Sequence, residues 1–371
     1  MPKNTLLAPR LIDADVHNSL SANDLLPYLP AYWRDWVKNR GMGNPSPGYQ
    51  SPVGVLREDA RPPGGGVPGS DPHFLVEHHL ERYDIDYAIL TGSGILGLSL
   101  NPDADWANAV ARAYNEALRD KWLDADPRYK GSIVVNHSDP AAAALEIDRA
   151  AQDKRMVQVL MASGSSRLFG QRFFYPIYEA AQRNGLPVAV HPGTEGAGTA
   201  GPPTPAGRPS RYMEWHNILP INYMAHINSL VCEGVFEKFP DLKFVAIEGG
   251  VAWLPHLMWR MDKNYKALRS TTPWLKKLPS EYIRQHLRLT TQPIEEPEND
   301  EQILQIFEMI DAKSILMFCS DYPHWDFDNP KMALPPLKGE LKERIMAGNA
   351  ADLYNLHQKV EVSFAKEVVA A

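Results

Sequence analysis

Cysteine is almost absent from the 371 residues: only Cys232 and Cys319 occur, too few for a disulfide framework and compatible with a reducing compartment. Basic blocks are missing too. A net charge of -7 and a sequence pI near 6.0 leave nothing to neutralise a phosphate backbone, so no nucleic-acid partner is expected and a small-molecule substrate is favoured. No uncharged apolar run is long enough to cross a bilayer, and Met1-Pro2-Lys3-Asn4 leads into no apolar core of signal-peptide length. The expectation is a soluble, cytoplasmic protein without membrane contact. No repeat of solenoid length is visible. After the first apolar run, Asp15-Val16-His17-Asn18 lacks a G-x-G-x-x-G turn, which takes most of the weight from nicotinamide and flavin readings.

Proline and glycine, by contrast, are plentiful and clustered. Residues 44–72 are dominated by Pro, Gly and Ser around Gly64-Gly65-Gly66, an insertion that buries little by itself and reads as a lid or a subunit contact. A homo- or hetero-oligomer is therefore an open expectation. A second such loop follows Gly193. Elsewhere short apolar runs alternate with helical periodicity: strands are expected at 12–17, 87–91, 132–135, 156–161, 187–190, 243–247, 287–291 and 314–318. Eight continuous apolar runs separated by helices describe a parallel sheet covered on its outside. The length suits a (β/α)8 TIM barrel of ~250 residues carrying long Pro/Gly-rich loop insertions. One domain over 1–371 is expected, with a short C-terminal tail from about 358.

The polar residues at the strand ends then matter, because catalytic groups of such barrels sit where the strands finish. Asp15 and His17 are two residues apart, so an extended strand points both to one face. His191 ends the fifth strand, Glu248 the sixth, and Asp321 follows the eighth. Two imidazoles and two or three carboxylates make a nitrogen and oxygen site for a divalent Zn, Mn or Fe ion. One ion is expected and two are allowed. Cys319 reads as core.

Ile12-Asp13-Ala14-Asp15-Val16-His17, Val190-His191-Pro192-Gly193, Ile247-Glu248-Gly249-Gly250 and Phe318-Cys319-Ser320-Asp321-Tyr322-Pro323-His324, with the closing Gly348-Asn349-Ala350-Ala351-Asp352-Leu353-Tyr354, resemble the amidohydrolase-related family. That family includes aminocarboxymuconate semialdehyde decarboxylase and resorcylate-type decarboxylases. The resemblance implies a metal-dependent barrel with His191 and Asp321 as ligands. It departs at two points: Asp15 replaces the first imidazole of the usual His-x-His, and Glu248 stands where many members carry a His that acts as acid or base. No lysine follows the fourth strand, so the carbamylated-lysine bridge of two-metal relatives is missing.

The residues leave several chemistries open. The first expectation is a hydrolase acting on a small polar or aromatic acid derivative, in which a metal-bound water attacks and Glu248 or Asp321 takes the proton. Non-oxidative decarboxylation on the same site is the near alternative. A dinuclear iron or manganese O2-dependent hydroxylase, as in the 2-aminoisobutyrate hydroxylase system, is a third, with Glu248 bridging and His324 or His216 added. A non-catalytic partner subunit with a structural metal is a fourth. His324, three residues past Asp321, is a candidate catalytic group. Asp13 reads either as an orienting group or as solvated. Arg208 and Arg211 read as loop residues with the option of holding a substrate carboxylate. His73, His78, His79 and His256 read as surface or packing residues, and His137 and His286 lack a supporting motif.

Overall fold

The computed structural model describes residues 7–46 and 52–360. Its centre is one eight-stranded sheet of β1 (Ile12–Val16), β2 (Tyr87–Leu90), β3 (Tyr129–Val134), β4 (Met156–Ala162), β5 (Val188–His191), β6 (Phe244–Ala246), β7 (Leu287–Thr290) and β8 (Leu316–Met317). Each strand pairs in parallel with the next, in sequence order. Hydrogen bonds from Ala14 N to Phe318 O, from His17 N to Tyr322 O and from Asp321 N to Asp15 O tie the last strand's extension to the first. This is the (β/α)8 barrel. Nearly every strand residue is buried, which is why the runs read as continuously apolar instead of alternating.

The helices outside follow from their caps and stripes. In Ala104–Leu118 the Asp103 carboxylate accepts from Trp106 N at 3.0 Å, while Trp106, Val110, Ala113, Tyr114 and Ala117 form one buried face. One expectation needs correcting. Ser314 and Ile315 are helical, not strand: Asp311 adopts a left-handed φ of 60° and starts a short second helix, Ala312–Ile315, leaving β8 only two residues. The helical stretch before β6 is broken into Pro220–Cys232 and Val235–Lys238. Gly234, at φ 72°, makes the break, and a Cβ there would meet the Trp274 ring at 2.4 Å, so no other residue fits this turn.

The described part of the 44–72 insertion folds against the mouth of the barrel. Leu56 bridges His324, Trp325 N donates to Val55 O at 2.9 Å, Arg57 N donates to Pro323 O at 2.9 Å and Ser19 N donates to Gly69 O at 2.7 Å. Among the described residues, no helix is long and apolar enough to cross a membrane.

Candidate metal centre and pocket

Strand direction delivers the site. Asp15 lies on β1 and His17 just past its end, His191 is the last residue of β5, Glu248 comes two residues after β6, and Asp321 follows β8. All five are buried, and one ligand atom from each lies within 4.8 Å of the others. The rings of His17 and His191 stand 4.8 Å apart. Glu248 and Asp321 both hold a left-handed φ of 57°, a conformation costing about 1–3 kcal/mol for such residues and typical of sites where geometry is imposed.

The donor atoms fit a cation. His17 Nδ1 donates to Gly92 O at 2.6 Å and His191 Nδ1 to Pro192 O at 2.9 Å, which fixes both tautomers and turns each Nε2 lone pair inward. Both Nε2 atoms, Asp15 Oδ2 and Asp321 Oδ2 are buried without a hydrogen bond. His17 Nε2 nevertheless sits 2.9 Å from Asp321 Oδ1, and His191 Nε2 sits 2.9 Å from Glu248 Oε2. Lone pairs facing at that range repel unless a positive charge lies between them. Ligands at ~2.0–2.2 Å from one ion stand about 3 Å apart. Asp15, His17, His191 and Asp321 around one dication give a neutral set, with Glu248 alongside. The described residues near the cage offer no free thiolate, since Cys319 is buried in the core and Gln292 N donates to its Sγ at 3.3 Å.

Electrostatics without a cation are those of crowded charges. Burial, then the Asp321 carboxylate, push the Glu248 carboxyl up. Burial opposes ionisation of Asp321, yet His324 and His17 hold its carboxyl well below the usual range. Burial works against a charged His324, but Asp321 and Glu248 push it up to about 9.

A second set of residues supports the first. Asp13 is fully buried rather than solvated. Its carboxylate accepts from Ser320 Oγ at 2.6 Å and Ser320 N at 2.9 Å, pairs with His79 Nε2 at 2.8 Å and accepts from Asp15 N at 3.3 Å. His79, expected to be a surface or packing residue, is thus a buried partner that locks β1 to the segment carrying Asp321; its ring also stacks on Tyr322 at 4.4 Å. Asp13→Ala leaves several buried donors unpaired. The expected result is a loss of about 3–5 kcal/mol in urea unfolding of the metal-free protein and a ten- to hundredfold weaker metal affinity; unchanged values for both would show the network to be idle.

The remaining candidates fall outside the cage. His324 Nδ1 pairs with Asp321 Oδ1 at 2.7 Å and its ring lies 4.3 Å from that of His17, so it faces the site. His216 lies 3.2 Å from Asp326 on the outer rim. His137 and His286 are buried in the core, the latter stacked on Phe236. Arg208 donates to Gly196 O, and neither it nor Arg211 lines the pocket.

That pocket, about 240 Å³, opens above the cage between His17, His191, Glu248 and His324 on one side and Tyr212 and Trp215 on the other. Gly92, Gly94 and Gly97 give it a backbone wall, and Pro45 and Val55 of the insertion close its edge. No Lys or Arg is among its described lining residues. Tyr212 and Trp215 were not singled out from the sequence, because their helix, Tyr212–His216, is five residues long and shows no periodicity; the aromatic cluster Tyr212, Trp215, His216 was the only available signal.

With this geometry in hand, comparisons place the chain among known proteins. It is 24% identical over 320 residues to the gamma-resorcylate decarboxylase of Polaromonas sp. (strain JS666 / ATCC BAA-500), covering 79% of this chain and 94% of that protein. A gamma-resorcylate decarboxylase of Rhizobium sp. (strain MTP-10005) is 24% identical over 268 residues, 64% of this chain and 76% of its own length. Among solved structures, the manganese-bound 5-carboxyvanillate decarboxylase of Novosphingobium aromaticivorans DSM 12444 superposes with a TM-score of 0.70 at 19% identity, covering 96% of this chain and 99% of that one. The curated relatives are named decarboxylases, and this corrects the expectation of a hydrolase. The physical reason is plain: a cation that activates water serves equally to bind a carboxylate, so the ligand set alone did not separate the two reactions. The amidohydrolase family model matches residues 12–356, and the chain belongs to that family.

Proposed function

We propose that the protein is a manganese-dependent decarboxylase of a hydroxylated aromatic acid carrying a single carboxylate. The observation that carries this reading is the pocket itself: an aromatic wall of Tyr212 and Trp215, and no Lys or Arg among its described lining residues. With no Lys or Arg in the walls, a substrate carboxylate entering it is neutralised at the cage and the adjoining His324, and there it is the reacting group. The names of the relatives, acting on resorcylate and carboxyvanillate, and the manganese in the solved structures of similar fold support the choice.

Asp15, His17, His191 and Asp321 would hold the manganese, which would supply positive charge toward the substrate carboxylate. The chain's own residues do the rest. Tyr212 and Trp215, their rings 5.2 Å apart, wall one side of the substrate ring and exclude water from it. Glu248, the cage carboxylate that also lines the pocket, is placed to give a proton to the ring carbon bearing the carboxylate. The bond from that carbon to the carboxylate then breaks, its electron pair returns to the ring, CO2 leaves and a phenol remains. Water at the pocket mouth returns the proton to Glu248. His324, bonded to Asp321, keeps that carboxylate oriented.

The test is incubation of manganese-loaded protein with 2,6-dihydroxybenzoate, following CO2 and resorcinol. Turnover is expected, and chelation should abolish it. A ring with a second carboxylate, 5-carboxyvanillate, is expected to be at least a hundredfold poorer in kcat/KM, because its extra charge is buried without a partner. Fully metallated protein that releases no CO2 from either acid would falsify the reading.

A further inference from the structure

Glu195 lies outside the cage and does not line the pocket, yet it is buried. Its carboxylate gathers donors from three separate parts of the fold: the Ser163 hydroxyl just after β4, Gly193 N in the loop after β5 at 3.0 Å, and the Trp215 indole Nε1 at 2.9 Å. A second contact holds the same corner. Gly164 N donates to Thr194 Oγ1 at 3.2 Å, and a Cβ on Gly164 would meet Thr194 O at 2.5 Å, so the two loops touch backbone to backbone. Gly193, Thr194 and Trp215 all line the pocket, and Gly193 is two residues from the ligand His191. A carboxylate accepts only, and three converging donors fix its plane. Fixing that plane fixes the indole.

We propose that Glu195 is a positioning residue that sets substrate affinity by holding the Trp215 ring as the pocket's wall. The inference rests on the reading of this pocket as the site for an aromatic acid. Glutamine at 195 keeps the volume but removes the charge from the acceptor that Gly193 N and Trp215 Nε1 share, and leaves its N–H2 to a Ser163 hydroxyl that must turn round to accept. The wall then loosens while the cage, which Glu195 does not touch, stays intact.

The experiment is a double-mutant cycle on manganese-loaded protein, reading the Kd for 2,6-dihydroxybenzoate. Glu195→Gln and Trp215→Phe are each expected to weaken binding about tenfold, consistent with loss of a hydrogen bond to a charged group, at unchanged manganese content. Because one acts through the other, the double variant should bind like Trp215→Phe alone. Two fully independent, multiplying effects, or no effect of Glu195→Gln, overturn the proposal. A readout independent of any ligand accompanies it: in 15N-Trp-labelled protein, the indole N–H signal lost in Trp215→Phe should move in Glu195→Gln, and an unmoved signal is equally fatal. Wild-type protein that fails to bind the acid or to release CO2 counts against the decarboxylase reading, while the indole signal still judges Glu195.

Discussion

Replacing Asp321 with alanine is expected to lower bound manganese from about one per chain to below about a tenth, and to cut turnover at least a thousandfold. The barrel should remain folded by circular dichroism. Asp321 is the proposed ligand on which most of the site converges. One of its oxygens lies 2.9 Å from His17 Nε2 and 2.7 Å from His324 Nδ1, while the other is buried with no hydrogen bond. Removing it leaves Asp15, His17 and His191 as three ligands, and three often hold a dication. The loss should therefore exceed what ligand count suggests, because the backbone at 321 is bonded to β1 through Asp321 N and Asp15 O and the carboxylate orients two imidazoles. His191→Ala is the parallel variant from the opposite wall. A variant of either kind with full metal and full turnover defeats the assignment of the cage.

The barrel was legible because its strands are buried on both faces: eight apolar runs announce themselves without alternation, and all eight are present. The clustering of Asp15, His17, His191, Glu248 and Asp321 was legible because strand ends are predictable to within a residue or two, and a polar residue after an apolar run is conspicuous. What failed were features that local pattern does not encode. Ser314 and Ile315 looked like strand by composition, but the left-handed Asp311 starts a helix there. His79 looked unremarkable in its helix because its partners, Asp13 and Ser320, lie 66 and 241 residues away. Glu195 and Trp215 sit beyond a Gly/Pro-rich loop whose path no periodicity reveals, and their meeting is tertiary. Reaction type was hidden for a chemical reason, since hydrolysis and decarboxylation share a ligand set. The pocket's lack of Lys and Arg became visible only when its walls were assembled.

Glu248 separates holding the metal from moving the proton. Glu248→Gln is expected to keep manganese near one per chain and the Kd for 2,6-dihydroxybenzoate within about threefold, while kcat falls about a hundred- to ten-thousandfold, the range for removing a positioned acid or base. Geometry motivates the split. Four donor atoms, from Asp15, His17, His191 and Asp321, are buried and orphaned, and no Glu248 atom is among them. Glu248 instead lies 2.9 Å from His191 through Oε2 and opens onto the pocket. Its left-handed backbone, anchored by Glu248 N donating to Thr290 Oγ1 at 3.0 Å, aims the side chain there. Glutamine preserves that shape and removes the transferable proton. Run in D2O, the wild-type reaction should place one deuterium at the carbon that lost CO2, and the variant's residual reaction should do so at the reduced rate. If Glu248→Gln instead loses the metal, the carboxylate is a ligand and the proton must come from another pocket residue, with His324 next in line. If metal, affinity and rate all survive, Glu248 is a bystander and the proposed proton route ends with it.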